Sequence, residues 1–287
     1  MHDSDRAPNS SEPYKDLYIY LIDGVVSSRD EAGFGNEFLG TWVEGDTSFL
    51  FFSVPLRERV ESLIKVRPEL SLLEEHHFSY EQWQGTGLEP VRIGRFLIVP
   101  PWRSEAAGQG EVRIVLDPGV VFGTGIHPTT SDCLQALAHL RERFAFEQVL
   151  DLGTGTGVLA VAAAALGARQ VLAVDLNPLC VKTAKRNVRH NQLEAVVKVF
   201  EGKAEDFSER PADLVMANIH YEVLKDLVER EKFRERSWMI LSGLMRSQGR
   251  DIKARLQRDG LTIAGEWDGE GTWTTLLVSA KNYGRLE

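Results

Sequence analysis

From Asp16 onward apolar residues alternate with polar ones at Leu17, Ile19 and Leu21, and this period of two predicts a strand. The apolar run over 49–54, after the Gly45-Asp46 turn signal, predicts a second strand. Between Pro55 and Pro68 the spacing changes, and Leu56, Val60, Leu63 and Ile64 recur at helical intervals. A helix set among strands predicts a small α+β domain over 14–82. Residues 1–13 are polar with two prolines and predict a disordered tail. Residues 83–105, rich in glycine and proline around a strand at 95–99, predict a linker into a second domain.

That second domain, over 106–283, alternates in the α/β manner. Strands are predicted at 149–152, 170–176, 196–200, 214–217 and 238–241, with helices at 158–166, 178–191, 221–233 and 247–258. Two further strands, 261–267 and 272–279, are split by Gly269 and Gly271 and predict an antiparallel hairpin. Strands separated by helices give a largely parallel sheet covered on both faces.

Composition narrows the class. The 287 residues are 43% hydrophobic and 26% charged, the profile of a folded globular chain. The longest nearly apolar run, 158–168, is shorter than the roughly 20 residues a bilayer crossing needs. The opening residues carry acids and no apolar core, which predicts no secretory signal and a cytoplasmic protein. Cys133 and Cys180 lack metal-ligand spacing and are expected to be reduced thiols, and no metal site is predicted. Charge is uneven: residues 1–100 hold 17 acidic against 9 basic side chains, whereas the remainder is nearly balanced. An acidic first third repels phosphate backbones and attracts a basic protein, so a protein partner is expected and nucleic acid is not. The same acidity also serves plain solubility.

Candidate chemistry starts at Val149-Leu150-Asp151-Leu152-Gly153-Thr154-Gly155-Thr156-Gly157. Here a strand ends in a carboxylate and a glycine-rich turn, and a helix follows. Glycines let a backbone approach a ligand closely, and a helix N-terminus offers unpaired N–H groups. Asp175 ends the next strand, where an acid accepts both hydroxyls of a ribose. These features predict a nucleoside cofactor. Gly155-Thr156-Gly157-Val158-Leu159-Ala160 also fits a dinucleotide fingerprint, so a nicotinamide cofactor is a rival. Three features favour S-adenosylmethionine: Asp151 placed to meet an ammonium, Asn218 after a later strand, and the terminal antiparallel hairpin.

A second signal is the loop Leu116-Asp117-Pro118-Gly119-Val120-Val121-Phe122-Gly123-Thr124-Gly125-Ile126-His127-Pro128-Thr129-Thr130, ahead of an apolar helical pattern. Its composition suits a lid or a ligand-contacting loop. For His127, a hydrogen bond that fixes the loop is the favoured role over catalysis.

The loop, the glycine turn, Asp175 and the Ala217-Asn218-Ile219 segment occur in the order seen in the ribosomal protein L11 methyltransferase family (PrmA), which residues 83–280 resemble. The resemblance implies a Rossmann-like methyltransferase sheet behind a small ferredoxin-like substrate-recognition domain. It implies methyl transfer from S-adenosylmethionine to lysine side chains and the N-terminal amine of ribosomal protein L11, before or outside ribosome assembly. Cofactor contacts are implied at Thr130, Gly153, Asp175 and Asn218, with Glu205 near the adenine; the residue reading adds Asp151 and Gly155. Asn218 is the expected catalytic residue, and Phe122, His127, Ile219, His220 and Tyr221 are expected to line the acceptor pocket. His220-Tyr221 departs from the family's usual Leu-Ala, so a methyltransferase acting on another protein lysine or a small amine is the alternative. A cofactor-binding module without catalysis stands behind both.

Overall fold

A computed structural model describes residues 14–84, 89–269 and 271–280; the predicted tail at 1–13 lies outside the described residues. The chain forms two compact units that divide between Glu89 and Pro90.

The first unit runs β1 (Asp16–Asp23), α1 (Ser28–Glu31), β2 (Phe38–Glu44), β3 (Thr47–Phe52), α2 (Arg57–Val66), β4 (Ser71–Ser79) and α3 (Tyr80–Gln84). Its antiparallel sheet has the order β2-β3-β1-β4, so the β-α-β-β-α-β path is the ferredoxin-like one. Tyr20 and Ile22 from β1, Leu50 and Phe52 from β3, and Val60 from α2 bury one face together. The alternation that announced β1 marks Leu17, Ile19 and Leu21, whereas Tyr20 and Ile22, which pack on α2, stand on the opposite face.

The second unit opens with β5 (Val91–Ile93), β6 (Phe96–Val99) and β7 (Val112–Val115), a three-stranded sheet with one antiparallel and one parallel pair. The predicted linker over 83–105 therefore differs from what is seen. Residues 83–84 finish α3, and the strand expected at 95–99 is β6, which belongs to the second unit and is buried because its four consecutive apolar residues find partners on both faces.

The main sheet follows. Its elements are α4 (Pro128–Arg143), β8 (Gln148–Leu152), α5 (Val158–Ala165), β9 (Gln170–Asp175), α6 (Pro178–His190), β10 (Val197–Glu201), α7 (Ala204–Phe207), β11 (Leu214–Asn218), α8 (Tyr221–Val228), α9 (Glu231–Arg234), β12 (Trp238–Met245), α10 (Arg246–Arg258), β13 (Thr262–Gly269) and β14 (Trp273–Ser279). Strand order is β10-β9-β8-β11-β12-β14-β13, parallel from β10 to β12, with β14 antiparallel to both neighbours. Successive residues of one strand feed opposite cores. Val149 joins the layer under α4 and α5, whereas Leu150 and Leu152 join the layer under α8 and α10. The order reverses at β8, with β9 on one side and β11 on the other, which opens a crevice at their carboxyl ends.

Candidate active site

Every strand that borders the crevice ends in a polar or glycine-rich segment. Leaving β8, the amides of Gly153 and Thr154 donate to the Val174 carbonyl at 2.8 and 2.9 Å, tying the turn to β9. Gly155 has φ +55°, and a Cβ there would lie 2.6 Å from the Phe122 carbonyl oxygen. Both conditions demand glycine. The Gly155 amide donates to Asp175 Oδ2 at 2.9 Å, and the Asn177 amide donates to Oδ1 at the same distance. Each oxygen keeps acceptor capacity for a further donor. Burial raises the Asp175 pKa against these hydrogen bonds.

Asp151 lies beneath the turn and is 1% exposed. Thr154 Oγ1 donates to its Oδ2 at 2.5 Å, while Oδ1 has no partner in hydrogen-bonding geometry. Burial pushes its pKa up to about 7, against the Thr154 hydroxyl and the favourable Ala160 amide, and the Asp175 charge adds to the rise. The sequence reading gives Asp151 a direct ammonium contact. In the structure the Thr154 hydroxyl takes Oδ2, and Oδ1, also buried, is left for a further donor.

The loop over 117–127 closes on this turn. Thr156 N donates to the Phe122 carbonyl at 3.1 Å, and Thr156 Oγ1 donates to the Gly123 carbonyl at 2.6 Å. Asn187 of α6 clamps the loop's start: its Oδ1 accepts from Asp117 N, and its Nδ2 donates to the Asp117 and Thr156 carbonyls. His127 is the N-cap of α4, with Pro128 in the first helical position. The Phe122 and Trp273 rings sit edge-on to the imidazole, at centroid distances of 4.9 and 5.2 Å.

Asn218 ends β11 beside Ser242 of β12. Its Nδ2 donates to Thr129 Oγ1 at 3.3 Å and to Thr130 Oγ1 at 3.4 Å, joining β11 to the start of α4. Ile219 packs so closely over Gly153 that any Cβ on that glycine would collide with it. Phe122, His127, Thr130, Gly153, Gly155, Asp175, Asn218 and Ile219 therefore form one contiguous constellation at the crevice. Glu205 lies on α7, beyond Gly202, whose amide donates to the Asp175 carbonyl at 3.0 Å.

Two expected pocket residues are engaged elsewhere. His220 is exposed, and its Nδ1 accepts from the Glu222 amide as the N-cap of α8. The Tyr221 hydroxyl donates to Asp251 Oδ2 at 2.8 Å on α10, and Asp251 is in turn paired with Arg255. His220 thus caps α8, and Tyr221 ties α8 to α10. The sequence reading missed Thr129, Asn187 and Trp273. Thr129 follows a possible cap, a usable local signal, whereas Asn187 and Trp273 reach the site from distant elements.

Among the described residues no group of three His, Cys, Asp or Glu side chains could hold a metal, and no helix is long and apolar enough to cross a membrane. Cys133 and Cys180 are both free and buried, and burial raises both thiol pKa values.

Residues 54–281 match the family described as ribosomal protein L11 methyltransferase (PrmA). A ribosomal protein L11 methyltransferase of Deinococcus radiodurans is 34% identical over 281 residues, covering 92% of this chain and 99% of that protein. The protein of that name from Anoxybacillus flavithermus is 41% identical over 178 residues, covering 61% of this chain and 56% of its own length. Among solved structures, the ribosomal protein L11 methylase of Lactobacillus delbrueckii subsp. bulgaricus superposes with a TM-score of 0.58 at 29% identity, covering 67% of this chain and 98% of that one.

Proposed function

The chain belongs to the ribosomal protein L11 methyltransferase family, and from that premise we propose that it transfers methyl groups from S-adenosylmethionine to lysine side chains and the N-terminal amine of ribosomal protein L11. The observation that carries this reading is the joining of Asn218 to the Thr129-Thr130 start of α4, beside the Gly153–Asp175 cradle. An acceptor-orienting amide and a nucleoside-binding carboxylate thereby face one crevice.

The residues fit the cofactor. Asp175 keeps acceptor capacity for ribose hydroxyls, and Gly155 makes room for the Phe122 carbonyl of the loop that closes on the turn. The unpartnered Asp151 Oδ1 is a buried demand for positive charge, which the methionine ammonium would meet from above. Exposed Leu176, next to Asp175, offers an apolar surface for the base, and Glu205 offers an acceptor at its edge. Asp151, a carboxylate just ahead of the glycines, would repel a pyrophosphate there, which weighs against the nicotinamide alternative.

The cofactor supplies an electrophilic methyl group on a sulfonium. What this chain supplies is position and shelter. An acceptor lysine must lose its proton first. With a pKa near 10.4 only about 0.04% is neutral at pH 7, a burden of about 4.6 kcal/mol. Burial in the crevice lowers that pKa. Asn218 Oδ1 accepts one amine N–H and so aims the nitrogen lone pair, and no dedicated base is required. Asn218→Ala is expected to lower turnover by about a hundredfold with cofactor affinity reduced less. Full turnover in that variant would remove Asn218 from the mechanism.

The acidic first unit docks the substrate protein. Its arginines 57, 59 and 67 are already paired with carboxylates, so the negative surplus faces a basic partner. The reaction belongs in the compartment where ribosomal proteins are made, the cytoplasm.

A further inference from the structure

Asn218 is useful to the reaction proposed above only one way round. Its carbonyl oxygen accepts an amine N–H and leaves the lone pair free to attack. Its NH2 group, turned into the same place, would donate to that lone pair and withdraw it from reaction. The structure contains a chain of donors and acceptors that decides between the two.

The chain begins at a donor that cannot be reversed, the backbone amide of Thr129, which donates to His127 Nδ1 at 3.4 Å. A ring nitrogen that accepts carries no proton, so the imidazole proton is on Nε2. The same Nδ1 lies 2.9 Å from Thr129 Oγ1, and between these two only the hydroxyl has a proton to give. A hydroxyl has one proton. With it committed to His127, Thr129 Oγ1 faces Asn218 solely as an acceptor, 3.3 Å from Nδ2. Thr130 Oγ1 receives the same NH2 group at 3.4 Å. Both threonines are 1% exposed, so water is poorly placed to repair a mismatch.

We propose that His127 is the positioning residue that fixes the Asn218 amide through Thr129, and that only neutral His127, protonated on Nε2, leaves the Asn218 oxygen turned to the acceptor amine. Protonation on Nδ1 would reverse the order: the ring donates to Thr129 Oγ1, the threonine proton swings to Asn218, and the amide turns over. The imidazole is suited to stay neutral because burial lowers its pKa. Phe122 and Trp273, which pack on the ring, carry no charge, and β11 and β14 contain no ionisable residue. The nearest ionisable groups in sequence are Asp117 at the start of the loop and Asp132 and Cys133 on the next turn of α4. Farther along α4 are His139, Arg141, Glu142 and Arg143, and β13 brings Asp268, which acts on Asp132 and pairs beside Trp273.

The first test is selective 15N labelling of histidine, read by NMR in the wild-type protein near neutral pH with His127→Asn as the assignment control. The expected result is a His127 Nδ1 resonance in the unprotonated range and Nε2 in the protonated range. The opposite tautomer, or a charged ring, overturns the inference whatever the enzyme's activity. The second test uses purified unmethylated ribosomal protein L11 as acceptor. Thr129→Val should lower kcat about tenfold or more at little changed cofactor affinity, and Thr129→Ser, which keeps the hydroxyl, should restore it. His127→Ala should behave like Thr129→Val, and His127→Asn, whose oxygen can accept as Nδ1 does, should restore turnover. The acid side of the kcat/KM profile should show one fewer titrating group in His127→Asn than in wild type. Wild-type kcat in Thr129→Val, or an unchanged acid limb in His127→Asn, would overturn the relay. If Thr129→Val fails to fold, the wild-type nitrogen shifts decide. Absence of methyl transfer by the wild type would sink the functional reading and leave the tautomer question separately answered.

Discussion

At the scale of single residues, the proposed cofactor site rests on two carboxylates. Asp175 accepts a backbone amide on each oxygen, the Cys180 thiol also lies against it, and its remaining capacity is what the proposal gives to a ribose. Asp175→Ala should weaken S-adenosylmethionine binding by about tenfold or more, from loss of a charged hydrogen bond of about 1.5–3 kcal/mol; unchanged affinity in calorimetry would refute the assignment. Asp151 works by charge. Its folded pKa of about 7 lies above the ordinary carboxylate range. The folded state therefore holds a proton that the unfolded chain has released, and the contribution of this group to stability falls as pH rises from about 4 to about 7. Above that range it is constant. Asp151→Asn should flatten this part of the stability profile in thermal melts across pH. A seated ammonium favours the charged form, so wild-type cofactor affinity should rise through pH 7 and that of Asp151→Asn should not. The carboxylates and glycines were legible because their order along the chain mirrors the order of strand ends. Thr129 was legible only as loop composition, since its meaning depends on Asn218, 89 positions away.

Among the elements, the loop over 117–127 depends on α6. Asn187 makes three hydrogen bonds to the loop and the glycine turn, and Asn191 holds the Val115 backbone at both N and O. Asn187 is fully buried, so Asn187→Ala leaves buried backbone groups unpaired. The variant should lose about 1–3 kcal/mol of stability and bind cofactor more weakly, as urea melts and calorimetry would report; a melt like that of wild type would show the clamp to be dispensable. Apolar runs predicted the central strands of the main sheet, which are buried on both faces, and α5, which is buried almost all round, while helical spacing predicted α4, α6 and α10. They did not predict β4, whose Ser71–Ser79 run carries Glu74, Glu75, His76 and His77 in a row. It pairs with β1 along its length, and pairing rather than its own pattern makes it a strand. The helix expected over 221–233 is two helices, α8 and α9. The break falls beside Arg230, whose guanidinium donates to the Glu205 carbonyl at 3.0 Å and Ser208 Oγ at 3.4 Å.

For the whole molecule, we propose that chemistry and recognition belong to separate units. The first has its own core around Tyr20, Phe34 and Phe52, and the second its own two layers. A chain lacking residues 1–89 should keep cofactor binding and lose methylation of ribosomal protein L11; retained transfer to the full-length substrate would show that the first unit is not the docking surface. Charge along the sequence hinted at this division before any fold was known, since the acidic surplus falls almost wholly in residues 1–100. The boundary was less legible. Glycines and prolines at 83–105 suggested a linker around a strand at 95–99; the strand is there, Phe96–Val99, but it is buried within the second unit, which begins at Pro90. The measurement that bears most directly on the central claim is methyl transfer from labelled S-adenosylmethionine to purified, unmethylated ribosomal protein L11, followed by mass mapping. Label on lysine side chains or the N-terminal amine is the predicted result. A protein that binds the cofactor in calorimetry yet leaves ribosomal protein L11 unlabelled would contradict the assigned substrate.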